Sequence, residues 1–269
     1  MCHNRSIRQF VALVLGLFSL VGSSAYAQGY AHWQQQNFIH DSFLTIALQR
    51  EYNQTQTPRL VRWESPIYIY VESEAGDASL QHQLLRIHTR HLSRITGVPI
   101  NFTNHLKQAN IVASFTQLHR VEEKVARYIG NPESIRVALD EAICLGNFGV
   151  NAQGEIQRGV IIIPVNYARQ NARFLDCIIE EITQLLGLPN DSDDVYPSIF
   201  NDVSHDIYLS PLDYILLKIL YSPRLKAGMT AQQVDQLLPT VINDLYYLGI
   251  IDDAVRQVQV GSLKRHIGD

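Results

Sequence analysis

Two periodicities divide this chain into elements. Residues 67–71, Ile-Tyr-Ile-Tyr-Val, are β-branched and aromatic and are bounded by Pro66 and Gly76-Asp77, which predicts a strand. Over 78–95 apolar residues recur at Leu80, Leu84, Ile87, Leu92 and Ile95, the spacing of one helix face, and Gly97 ends the run. Short strands are predicted at 100–102 and 110–115. Two more, at 137–145 and 159–165, flank a Gly-containing connection at 151–154. Residues 177–186 then read as a helix, with Asp176 as its N-cap and Gly187 as its stop. An acidic loop over 190–194 follows, then an apolar helix at 211–221 and an amphipathic helix at 230–247 that Pro239 breaks or kinks. The polar stretch 28–57 reads as a loosely tied helix or arm, and the chain from about Val258 reads as frayed. Strand and long helix, then strands, then helices, predict a mixed α/β (α+β) fold.

The first residues bear on compartment rather than fold. Arg5 and Arg8, an apolar run over 10–21 and the small-residue ending Ser23-Ser24-Ala25-Tyr26-Ala27 predict a secretory signal sequence cut after Ala27. No later stretch is long and apolar enough to cross a bilayer, so no integral membrane segment is expected after cleavage. The expected destination is the periplasm or the medium. The remaining chain carries 20 basic against 26 acidic residues without a basic cluster, which argues against nucleic acid and anionic membranes as partners. It keeps two cysteines, Cys144 and Cys177. In an oxidising compartment one disulfide is the simplest reading, and two reduced buried thiols are the alternative.

Chemistry concentrates in residues 180–191, Glu-Glu-Ile-Thr-Gln-Leu-Leu-Gly-Leu-Pro-Asn-Asp. Glu180 and Gln184 lie one turn apart on a helix face, with Glu181 beside them. A sharp turn at Gly187 would bring Asn190 or Asp191 back toward that face. The segment resembles the extended zincin signature of matrixin-type metzincins, H-E-x-x-H-x-L-G-L-x-H. In that resemblance Glu180, Gln184 and Asn190 fall on the three histidine ligand positions and Glu181 on the catalytic glutamate. Leu186, Gly187 and Leu188 match directly. Downstream, Ser198-Ile199-Phe200 resembles the matrixin Ser-Ile-Met turn, with Phe200 on the methionine. Leu209-Ser210-Pro211-Leu212-Asp213 and Leu220-Tyr221 resemble the helix that follows. The chain is also similar to a bacterial secreted family of unknown function with the pattern E-E-x-x-Q-x-L-G-L-x-N-D. The resemblance implies a zincin-like domain over 62–222, a mixed twisted sheet with a long helix and a signature helix. Residues 1–27 are then the signal, 28–61 an N-terminal arm and 223–269 a C-terminal helical extension.

Every implied zinc-binding position has lost its imidazole, so no zinc and no other cofactor is expected. Glu180, Glu181, Gln184, Asn190 and Asp191, with Asp193, Asp194 and Asp202, are oxygen donors, and calcium or magnesium is the metal such a set could accept. His88 and His91 share one helix face, while His82, His105, His119 and His205 are scattered. The leading functional expectation is a degenerate metallopeptidase-like protein that binds a peptide or protein partner in the envelope or outside the cell. One alternative is a hydrolase with Glu181 as general base and Glu180 as ligand or paired acid. Another is a structural envelope component.

Overall fold

The computed structural model describes residues 31–49, 58–204 and 207–269. The expected signal sequence, His205 and parts of the expected arm lie outside the described residues. Five strands form one sheet in the order β2-β1-β3-β5-β4. They are β1 (Ile67–Ser73), β2 (Ile100–Phe102), β3 (Ile111–Thr116), β4 (Leu145–Val150) and β5 (Ile156–Pro164). The first four in that order pair in parallel, and β4 runs antiparallel to β5 at one edge. The helices among the described residues are α1 (Gln36–Leu48), α2 (Ala78–Thr96), α3 (Val121–Tyr128), α4 (Arg136–Glu141), α5 (Val165–Gln170), α6 (Phe174–Gln184), α7 (Pro211–Leu220), α8 (Ala231–Tyr247), α9 (Ala254–Gln259) and α10 (Leu263–Ile267). The architecture is the mixed α/β one that the pattern predicts, with the long helix at α2.

Strand alternation decides which side chains meet which layer. Ile67, Ile69, Ile111, Ala113, Phe115, Ile161 and Ile163 enter the main core with α1, α6, α7 and α8. Val160 and Ile162 point the other way and join Val121 and Val125 of α3 in a smaller cluster. On that second face Lys124 is fully buried, 2.9 Å from Glu72 and 2.6 Å from Glu74. Burial pushes the Glu72 carboxyl up, but donors from Lys124, Ser114 and Tyr128 outweigh it and hold the group below the usual range.

The structure corrects four local expectations. Residues of the expected arm are not loosely tied: Ile39, Phe43, Ile46 and Ala47 of α1 are fully buried, at a helical spacing that the polar residues around them obscure. Residues 137–145 are mostly α4, and the strand begins only at Leu145, because an apolar run this short fits either period. Asp176 is not an N-cap; α6 starts at Phe174 and Asp176 lies in its first turn. The C-terminal residues are not frayed, since Val258 and Leu263 are buried and Arg94 of α2 donates to the carbonyls of Gln257 and Val260. Buried apolar side chains from α1 and from Leu225 to Leu263 therefore belong to the same core as the sheet.

Candidate functional site

The helix carrying the signature residues, α6, is fixed at both ends and along its buried face. Trp63 donates its indole N–H to the Leu185 carbonyl at 2.8 Å, and the Tyr221 hydroxyl donates to Leu186 at 2.8 Å. These bonds satisfy carbonyls that a helix end leaves open. Gly187 follows at φ 116°, and a Cβ there would stand 2.1 Å from the Val61 carbonyl oxygen, so the position needs glycine for both conformation and space. At the middle of α6, His88 Nε2 lies 3.1 Å from the Ile179 carbonyl and 3.0 Å from Thr183 Oγ1. Burial and the neighbouring His91 push His88 down to about 3. His91 is pushed down to about 4 by burial and Arg94. Both imidazoles are thus neutral packing groups at neutral pH. At the other end a Cys144–Cys177 disulfide, with Cα atoms 5.9 Å apart, ties the residue before β4 to the first turn of α6.

The adjacent glutamates of the signature face different surroundings. Glu181 is 6% exposed and rests on the edge strand: a Cβ at Gly146 would stand 2.3 Å from its Oε2. Glu180 instead lines a cavity of about 230 Å³ with Asn171, Ala172, Arg173, Asp176, Ile199, Asn201, Ser204 and Ile207. Arg173 shares its guanidinium between Asp176 at 2.8 Å and Glu180 at 3.3 Å. That pairing does not keep Glu180 in its ordinary range. Burial, then Asp191, and further Asp202 and Asp176, outweigh Arg173 and push the carboxyl up to about 8. Asp176 is also raised, by burial against Arg173, and its buried Oδ1 has no hydrogen-bond partner among the described residues.

The turn at Gly187 brings back Asp191 rather than Asn190. Gln184 Nε2 donates to both Asp191 oxygens at 3.0 Å. Asn190 is buried, donates its side-chain amide to the Asp191 carbonyl and its backbone N–H to Ile46. Asp193, Asp194 and Asp202 are exposed. Among the described residues no group of three His, Cys, Asp or Glu side chains could hold a metal ion. Gln184 and Asn190 both use their side-chain amide N–H groups on oxygens of Asp191.

The two downstream motifs form one hydrogen-bonded unit beneath this region. Asp213 is fully buried, and its carboxylate accepts from Ser198 Oγ at 2.6 Å, Ser210 N at 2.7 Å and Ile199 N at 3.2 Å. Burial dominates over these donors and pushes Asp213 up to about 6. Phe200 is fully buried, and its carbonyl accepts from Ser192 at 2.8 Å, which holds the acidic loop down.

Arg173 and Asp176 are the residues that reading the signature alone misses. Their spacing relative to Glu180, Arg-x-x-Asp-x-x-x-Glu, is the i, i+3, i+7 pattern of one helix face and was the available signal. Gly146 inside a strand is the second missed signal, since glycine there marks a close approach.

These observations define a mixed α/β domain with a polar cavity at its signature helix. The profile of a family described as "Protein of unknown function (DUF2927)" matches residues 36–240, and the chain belongs to that family. No curated protein and no solved structure matches it.

Proposed function

We propose that this chain is an exported, non-catalytic binding protein on a degenerate zincin-like scaffold, and that an extended segment of a peptide or protein partner pairs with the outer edge of β4. The observation that carries this reading is the position of β4. It is the antiparallel edge strand, Gly146 and Asn147 on it are exposed, and the Cys144–Cys177 bridge and Glu181 hold it against α6. An edge of this kind offers unpaired N–H and C=O groups to an added strand. Export is supported by the signal-like residues 1–27 and by the disulfide. The zincin-like scaffold is supported by the order of the sequence motifs and by a signature helix lying beside an edge strand. Hydrolysis with Glu181 as base needs that carboxylate open to substrate. Its burial on Gly146 favours binding over turnover.

The test is to pan a phage-displayed library of random peptides against protein recovered from cells and to titrate selected peptides by fluorescence polarisation. Proline is placed at Asn147 or Phe148, because of two successive strand residues one points its N–H away from the neighbouring strand. The variant that keeps the wild-type circular dichroism spectrum is expected to bind about tenfold more weakly. Unchanged affinity in that variant refutes the edge-pairing reading.

A further inference from the structure

We propose that the face formed by α2 and α10 docks on an anionic lipid surface, with arginines on the headgroups and two exposed aliphatic side chains at the acyl boundary. The charge comes from two gaps in the acidic residues of the sequence. No Asp or Glu occurs between Asp77 and Glu122, or between Asp253 and Asp269. α2 and α10 lie in these stretches and carry Arg86, Arg90, Arg94, Lys264 and Arg265. The fold sets the two segments side by side. Gln83 Nε2 lies 3.3 Å from His266 Nε2, and Arg94, further along α2, donates to the carbonyls of Gln257 and Val260. Residues 257–266 therefore run antiparallel to a stripe of Gln83, Arg90 and Arg94 on one helix face. No run of bases marks this cluster along the chain, because its halves are 183 residues apart where Gln83 meets His266.

Charge complementarity selects an anionic partner. Arg86, Arg90, Arg94 and Arg265 are exposed, and none of them is ion-paired among the described residues. The acids that border the face are engaged. Asp77 caps α2, Asp253 accepts from Arg256 and Gln257, and Asp269 accepts from the Tyr208 hydroxyl. The aliphatic side chains select lipid over a soluble polyanion. Leu80 is 36% exposed and lies one turn before Gln83, and Ile267 is 48% exposed and follows His266. Both sit where Gln83 meets His266, at one end of the arginine stripe. Basic side chains beside exposed aliphatic ones suit the headgroup region of a bilayer, and a soluble polyanion gives the aliphatic pair nothing to enter. Arg86 stacks over Phe102 of β2, 4.6 Å from the ring centroid, so the face borders the sheet edge opposite β4. Attachment there leaves β4 free, and the proposal does not depend on what β4 binds.

The experiment is co-sedimentation of protein recovered from cells with vesicles of phosphatidylcholine alone or with about 30 mol% phosphatidylglycerol, beside retention on heparin and polyglutamate beads. The chain carries a net charge of −4, so anionic vesicles would repel it without a local cationic face. Binding to the anionic vesicles alone is expected, falling steeply between about 0.05 and about 0.5 M NaCl. At about fivefold per arginine, the double variant Arg90→Gln, Arg265→Gln is expected to bind about twentyfold more weakly. Arg136→Gln, in α4 on the other side of the sheet, is expected to bind as wild type does. Leu80→Ser with Ile267→Ser is expected to weaken binding about threefold. Equal binding to both vesicle types, no vesicle binding, or equal losses in the α2–α10 and Arg136 variants overturns the proposal. Retention on heparin or polyglutamate without vesicle binding assigns the face to a soluble polyanion and overturns the lipid reading.

Discussion

Glu180→Gln separates the electrostatics of the cavity from its packing. The carboxyl of Glu180 is raised from 4.5 to about 8, first by burial and then by Asp191. A carboxyl raised in the fold holds its proton more tightly in the native than in the unfolded chain. Its stabilising contribution is therefore full below about pH 4.5 and is lost as pH rises through about 8. At ~1.4 kcal/mol per pH unit that interval corresponds to about 4–5 kcal/mol. The side chain is 15% exposed, and water reaching it reduces the figure to about 3 kcal/mol. Glutamine fills the same space without a titrating proton. Urea unfolding of both proteins at about pH 5, 6.5 and 8.5 is the assay. The variant is expected to gain on wild type by about 3 kcal/mol between the lowest and highest pH. Taking the difference between proteins cancels Asp213, which is also raised, and the two lowered histidines, which act in the opposite sense. A difference that stays constant with pH, or that favours wild type at high pH, would show that Arg173 keeps Glu180 ionised and that the reasoning fails.

Other perturbations test the scaffold. His88 is lowered to about 3, so its contribution is present above about 6.5 and is lost on acidification; His88→Gln should flatten the stability loss between about pH 6.5 and 4, measured by the same unfolding series. Asp213→Asn turns an amide N–H₂ toward donors from Ser198, Ile199 or Ser210 and should cost about 2–4 kcal/mol at neutral pH, read from the urea midpoint. Gly187→Ala must move the chain away from Val61 and should cost more than about 2 kcal/mol in the same assay. Reduction of Cys144–Cys177 opens a loop with a sequence separation of 33 and should lower stability by about 3–4 kcal/mol, compared with and without dithiothreitol.

The parts of the fold that sequence patterning reveals are those where period and punctuation agree. α2 has a continuous apolar stripe, an Asp77 cap accepting from Leu80 and a left-handed Gly97, and both its ends are where the pattern puts them. The capping pair Ser210 and Asp213 fixes the start of α7 in the same way. Residues 137–141 carry too few apolar positions to distinguish the two periods, and burial of Ala138 with packing of Leu139 against the smaller cluster decides for helix. α1 hides its core residues in a polar composition, and only burial against α7 and α8 brings them out. At the site, the face shared by Glu180 and Gln184 and the return of Asp191 are legible from helix geometry and a glycine. The divergence of Glu180 and Glu181 is not, because it depends on how β4 lies against α6, a long-range contact that local spacing does not encode. The link between Ser198 and Asp213 is of the same kind: two motifs read separately along the chain close one hydrogen-bonded unit.

The central claim, that this domain binds an extended partner at β4 without cleaving it, is tested most directly by amide hydrogen exchange on the protein with and without a library-selected peptide, followed by mass analysis of the peptide. The account predicts slowed exchange concentrated in Leu145–Val150 and a peptide recovered intact, with wild type and Glu181→Gln alike. Protection elsewhere with β4 unchanged, or a peptide cut by wild type and left whole by Glu181→Gln, would contradict it.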